Sequence, residues 1–135
     1  GTVDLKGCCQ LNRTELEAYI AETYPADSDS PWMTHPNYRV FRHRRNRKWF
    51  ALVMDIPERY VGRPGRATLD VVNVKCDPIM IGSLRSEPGF FPAYHMNKEK
   101  WITVSLDGRV PDDQIKWLLD LSFALTAPRM KKHRT

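Results

Sequence analysis

The segment from residue 92 to residue 108, PAYHMNKEKWITVSLDG, constrains the fold more than any other part of the chain. Its second half alternates between a mixed set of side chains and an apolar set, as a strand does. The mixed set is Trp101, Thr103 and Ser105, and the apolar set is Ile102, Val104 and Leu106. Asp107-Gly108 predicts a turn, because glycine accepts positive φ without steric cost. Pro111 and the two aspartates after it are typical of a helix N-terminus, so the segment predicts a strand leading into a C-terminal helix.

The remaining elements follow from the same kinds of pattern. Asn12 and Glu15 fit a capping box and predict a helix through about Tyr24. Further strands are predicted at residues 38–43, 49–56, 69–76 and 91–96, with a short helix beginning at Pro78. Alternation places Phe50 on the same face of the second strand as Leu52, and Trp49 on the face of Ala51, whereas residues 26–37 and 57–68 predict loops. The order α-β-β-β-α-β-β-α gives the fold class: a two-layer α/β (α+β) fold, with an antiparallel sheet of about five strands backed by helices.

The length of 135 residues and the hydrophobic fraction of 41% predict one folded domain. We assign residues 13–127 to this domain and residues 128–135 to a basic C-terminal tail. Residues 1–12 are expected to be a tail, and Gly1 in the first position suggests trimming from a longer protein. No apolar run reaches the roughly 18–20 residues that span a bilayer, and no secretory leader is recognisable. The three cysteines have no framework spacing and predict reduced thiols, so we expect a cytoplasmic protein without a membrane role.

The net charge of +5 is distributed very unevenly along the chain. Residues 39–48 hold six basic residues and no acid, and residues 129–134 hold four more, again without an acid. Removing these ten from the 21 basic residues leaves 11 against all 16 acids, so the rest of the chain is net negative. Localised charge of one sign concerns partners or solubility rather than the fold.

Catalytic motifs are not recognisable in the sequence: there is no nucleophile elbow, HExxH, Walker loop or GxGxxG. A pairing of His95 with Asp107 can be imagined across the last two strands. A histidine that bridges the strand to a backbone carbonyl is the simpler interpretation. Asn97 and Lys98 likewise suit a turn, which can be purely structural. The expectation is therefore a protein that is not an enzyme, with no catalytic residues, no cofactor and no metal site.

Several of these segments together resemble the MmcQ/YjbR family of small bacterial proteins. HMNKEKW followed by LDG and VPDDQIKWLLDLSF carries the resemblance, and NVKCDP, the PW at Trp32 and the strand ending WFAL fit in the same order. The resemblance covers roughly residues 13–126. It implies a secretion-chaperone-like fold with an antiparallel sheet backed by helices, and members of the family are usually labelled DNA-binding.

Resemblance and charge together predict a DNA-binding module that is indifferent to base sequence. A nucleic-acid surface needs cations that neutralise several phosphates, and a basic hairpin tip could enter a groove. The candidate nucleic-acid-binding residues are Arg42, Arg44, Arg45, Arg47, Lys48, Lys98 and Lys100. Two alternatives stay open: a basic turn that serves solubility only, and a chaperone-like module that binds an acidic peptide or partner protein. The oligomeric state does not follow from the sequence.

Overall fold

The computed structural model describes residues 11–62 and 65–128. Within these residues the fold has three α-helices, one 3-10 turn and six strands. The helices are α1 (Arg13–Thr23), α2 (Pro78–Leu84) and α3 (Asp112–Thr126), and the 3-10 turn is Glu58–Val61. The strands are β1 (Ala26–Asp29), β2 (Arg39–His43), β3 (Trp49–Pro57), β4 (Thr68–Lys75), β5 (Phe90–Pro92) and β6 (Trp101–Ser105).

All six strands form one antiparallel sheet in the order β1-β2-β3-β4-β6-β5. The predicted α+β fold with helices behind an antiparallel sheet is confirmed, and so are five of its strands. The prediction of a loop at residues 26–37 is wrong over its first four residues, which form β1. The segment Ala-Asp-Ser-Asp has no apolar alternation, and its side chains are mostly exposed, so no periodicity marks it. β1 is a strand because its backbone pairs with β2.

Two element ends differ slightly from the sequence prediction. The strand expected at residues 91–96 is shorter and ends at Pro92. Pro111 is the residue before the first turn of α3 rather than within it, while Asp112 and Asp113 occupy that first turn as expected. Asn12 and Glu15 form the predicted capping box, with the Glu15 amide donating to Asn12 Oδ1 at 2.8 Å.

The sheet separates two hydrophobic clusters with different coverings. The three helices cover the first face, where Leu16, Ile81 and Leu118 meet sheet residues such as Val53 and Val104. We call this the helix face. On the other face, the apolar strand residues are Val40, Leu52, Met54, Ile56, Leu69 and Val71. Side chains from loops, among them Trp32, Val61, Tyr94 and Met96, pack over this second cluster, so we call it the loop face.

A β-bulge sits where β2 and β3 approach their connecting turn. The register places Phe41 opposite Ala51 but Arg42 opposite Trp49, so Phe50 is the extra residue. Phe50 therefore points to the helix face, and Trp49 points to the loop face. The predicted alternation, with Phe50 beside Leu52, is wrong at this position because the bulge breaks it. Ser122 of α3 donates to the Phe50 carbonyl at 2.6 Å and accepts from the Lys75 amide at 2.9 Å.

Candidate nucleic-acid interface

One end of the sheet gathers the candidate residues, although they come from distant parts of the sequence. The β2–β3 turn lies at this end, and Ala51 faces Val74, so β4 finishes there at Lys75. Lys75 in turn faces Trp101, the first residue of β6. The turn that carries Lys98 and Lys100 therefore lies at the same end as the basic hairpin tip. We call this the hairpin end of the sheet.

The sequence cluster at residues 39–48 contains no acid, but in the fold it is not free of acids. Asp27 of β1 pairs with Arg44 at 3.4 Å and with Arg47 at 2.6 Å. Asp29 accepts three hydrogen bonds from Arg42, at 3.3, 3.0 and 2.9 Å. The hydrogen bond from Arg47 is the main cause that lowers the pKa of Asp27 below its usual value. Three of the predicted DNA-binding arginines are thus already paired, through the strand that sequence reasoning missed.

The other predicted cations remain open to a partner. Across residues 11–62 and 65–128, no ion pair involves Arg45, Lys48, Lys98 or Lys100, and all four side chains are exposed. Glu99 stands between the two lysines, so that turn carries a net charge of one. Of these four cations, Arg45 and Lys48 at the hairpin tip are therefore the ones whose charge no acid in the same turn offsets.

The hairpin tip is fixed to the end of α3. The His43 ring is buried, and its Nε2 lies 3.0 Å from the Phe123 carbonyl oxygen and 2.9 Å from the Thr126 hydroxyl. Asn46 donates to the Thr126 carbonyl at 2.9 Å, a bond that satisfies one of the last carbonyls of the helix. Burial lowers the pKa of His43, so the ring is neutral at neutral pH. The end of α3 therefore lies against the hairpin tip, 80 positions after Asn46 in sequence.

The second basic cluster, at residues 129–134, lies outside the described residues. Residues 1–10 of the predicted N-terminal tail, which include Cys8 and Cys9, lie outside the described residues as well. Cys76 is a buried free thiol whose pKa burial raises to about 11, so it stays protonated at neutral pH.

The HMNKEKW segment has a clear structural role in the fold. The Asn73 side chain donates to the Tyr94 carbonyl at 3.1 Å, and the Tyr94 amide donates to the Thr103 hydroxyl at 3.0 Å. Thr103 donates in turn to Asn73 Oδ1. These three contacts fasten the loop after β5 onto the loop face, and both Asn73 and Thr103 are fully buried. Asn97 then closes the turn by accepting from the Glu99 amide at 2.8 Å, which fits the structural interpretation of this residue.

His95 does not form the bridge to a carbonyl that we expected. It adopts a positive φ of 60°, its side chain is exposed, and its ring lies against Tyr94 with centroids 4.0 Å apart. Strand β6 runs between the loop of His95 and the turn of Asp107. Asp107 accepts from Ser105 at 2.9 Å and binds Arg109 at 2.8 Å. Burial acts to raise the pKa of Asp107, but the bonds from Arg109 and Ser105 outweigh it and lower the pKa.

Sequence reasoning missed several residues of the hairpin end. Lys75 and the rings of Trp49 and Trp101 lie on its loop face, and all three are partly buried. Trp101 belongs to neither hydrophobic cluster, unlike its strand neighbours Ile102 and Val104. The alternation of β6 was the available signal, because it set Trp101 apart from the apolar residues.

Two further features of the residues that the structure describes concern metal binding and membrane insertion. There, no group of three or more histidine, cysteine, aspartate or glutamate side chains could hold a metal ion. None of the helices in this part of the chain has the length and hydropathy that a membrane crossing needs.

Three known proteins are similar to this chain over half of its length or more. The uncharacterized protein YyaQ of Bacillus subtilis is 36% identical over 116 residues, which cover 86% of this chain and 98% of YyaQ. YjbR of Escherichia coli is 35% identical over 75 residues, or 55% of each chain. A crystal structure of a Pseudomonas syringae protein superimposes with a TM-score of 0.83 at 46% identity, covering 86% of this chain and 99% of that one.

The family model agrees with these pairwise matches. The model of the YjbR family matches residues 21–125, which is most of the chain and includes every strand of the sheet. The resemblance drawn from HMNKEKW, LDG and NVKCDP is thereby confirmed. The chain belongs to the YjbR family.

Proposed function

We propose that this protein is a non-enzymatic DNA-binding module that binds phosphates through the hairpin end of its sheet. The observation that supports this most is the convergence of cations from separate segments. The β2–β3 turn, the turn before β6 and the end of α3 all meet at this end. His43 and Asn46 fix the β2–β3 turn to Thr126, at the end of α3.

The proposal predicts binding that depends on salt and little on base sequence. Phosphate contacts release counterions, so log K should fall with log salt with a slope of about −0.9 per phosphate neutralised. Arg45 and Lys48 are the leading contacts, since no acid among the described residues pairs with them. Arg42, Arg44 and Arg47 contribute less as long as β1 neutralises them. A cytoplasmic location is part of the proposal.

A titration of fluorescein-labelled duplex DNA, followed by anisotropy at about 50 and about 200 mM salt, tests the proposal. We expect a Kd in the range of about 10⁻⁴ to 10⁻⁶ M near physiological salt, and clearly tighter binding at the lower salt. Absence of binding at low salt, with protein above about 100 μM, would refute DNA binding by this protein.

A second candidate function, a protein-interaction module, is favoured by a different surface. On α3, Trp117 and Leu125 are each 51% exposed, and Leu121 lies between them at helical spacing. Such an apolar stripe is typical of a docking surface. A partner that binds there would co-purify with the wild-type protein and be lost from a Trp117→Ser, Leu125→Ser variant. Binding of DNA would be unchanged in that variant, so the two functions can be separated.

A further inference from the structure

The loop face of the hairpin end carries indole rings and cations in alternation. Across neighbouring strands the order is Arg42, Trp49, Lys75 and Trp101. Arg42 faces Trp49 in the register, and its guanidinium lies 5.9 Å from the centroid of the Trp49 ring. Lys75 faces Trp101. Both lie on the loop face, because their strand neighbours Val74 and Ile102 belong to the cluster on the helix face.

The packing of the two indoles differs from that of core residues. Trp49 is held edge-on against Trp32, with centroids 5.5 Å apart, which fixes its orientation while leaving it partly exposed. Trp101 is also partly exposed and belongs to neither hydrophobic cluster. Trp49 also packs against the cluster on the loop face, whereas Trp101 has no place in either cluster, so its ring is the more available for contact with a ligand.

Alternating rings and cations suit one form of nucleic acid in particular. Bases of a single strand can leave their stack and lie on aromatic side chains, whereas paired bases in a duplex keep their faces covered. Trp49 and Trp101 are two strand spacings apart, about 9.6 Å, with Lys75 on the strand between them. Lys98 and Lys100 continue the positive charge beside Trp101, and Lys48 does so beside Trp49. The arrangement provides a path for a backbone with a ring on each side of a cation.

We infer that this row binds single-stranded DNA in preference to duplex, with bases stacked on Trp49 and Trp101 and phosphates on the lysines between and beside them. The inference rests on the proposed function and specifies its ligand. It also accounts for a Trp101 ring that is partly exposed and belongs to neither hydrophobic cluster.

The test compares an oligothymidylate of about 15 nucleotides with a duplex of the same length, both fluorescein-labelled, at one salt concentration. Wild-type protein should bind the single strand at least several-fold more tightly. Trp101→Leu and Trp49→Leu should each lower single-strand affinity about 5- to 100-fold, as expected for the loss of one stacked base. Trp117→Leu, on the opposite side of the molecule, should leave it unchanged. Trp101→Tyr keeps a ring for stacking and should retain most of the affinity.

The outcomes separate the inference from the proposed function. Equal affinity for both forms, or Trp101→Leu and Trp49→Leu variants that bind the single strand as wild type does, would overturn the inference and leave duplex binding intact. A failure of the wild type to bind either form would refute both. A leucine variant that keeps its duplex affinity is folded, so loss of single-strand binding in that variant supports stacking.

Discussion

At the scale of single residues, the buried polar contacts explain the densest motif of the sequence. Asn73, Thr103 and the backbone of Tyr94 satisfy one another in a fully buried position on the loop face. Buried polar groups need such partners because leaving one unpaired is costly. The HMNKEKW loop is therefore fixed by the strands beneath it, and the cations on its turn have a defined position.

Thr103→Val should destabilise the protein by about 1–3 kcal/mol, because Asn73 Oδ1 and the Tyr94 amide lose their partner in a buried position. Thr103→Ser keeps the hydroxyl and should cost clearly less. Urea unfolding of the three proteins measures both effects. Equal stability of the valine and serine variants would show that the hydroxyl is not what matters.

Asp27→Asn should strengthen DNA binding, an unusual direction for a surface substitution. The change releases Arg44 and Arg47 from their ion pairs while keeping the size of the side chain. We expect a steeper salt dependence, by about 0.9 in slope for each additional phosphate engaged. Asp70→Asn, an exposed aspartate on β4, removes the same charge away from the hairpin end and is the matched control. An Asp27→Asn protein that binds no better than this control would argue against β1 as a competitor of phosphate.

At the scale of elements, the hairpin and α3 act as one unit. His43 and Asn46 bind the last turn of the helix, and Ser122 of the same helix satisfies the backbone groups that the bulge leaves open. Neither contact could be predicted from the sequence, because each joins segments far apart in the chain. The bulge at Phe50 was equally hidden, since Trp49 and Phe50 are both apolar and fit either face.

Stability should fall on acidification through His43. Its pKa is lowered by burial in the folded state, so the unfolded chain binds more protons below about pH 6.5. The contribution is complete above the unfolded pKa and is lost as the pH falls towards the folded pKa, at most about 1.4 kcal/mol per pH unit. Urea unfolding at about pH 7.5 and about pH 5.5 should show a larger loss for wild type than for His43→Gln. An equal loss in both would contradict this role, because the other histidines are common to the two proteins.

At the scale of the whole molecule, the two layers and the order of the main elements could be predicted from periodicity, since helices and strands with one apolar face carry a strong signal. Strand β1 could not, because its side chains are exposed and only pairing with β2 makes it a strand. The sequence predicted which cations form the candidate site, but not that three of its arginines are paired with aspartates. Asp27 and Asp29 lie more than ten positions before the arginines that they pair with, and only the sheet brings them together.

The central claim, that the hairpin end is the DNA-binding surface, is tested most directly by two charge-matched double variants. Arg45→Ser, Lys48→Ser removes two unpaired cations at the hairpin end, and Arg59→Ser, Arg66→Ser removes two exposed arginines at the opposite end. Duplex affinity is measured at several salt concentrations for both variants and for wild type. We predict weaker binding and a salt slope that is shallower by about 1.8 for the first variant, and little change for the second beyond a small uniform effect. Equal weakening of both variants, or a stronger effect of the second, would contradict the claim.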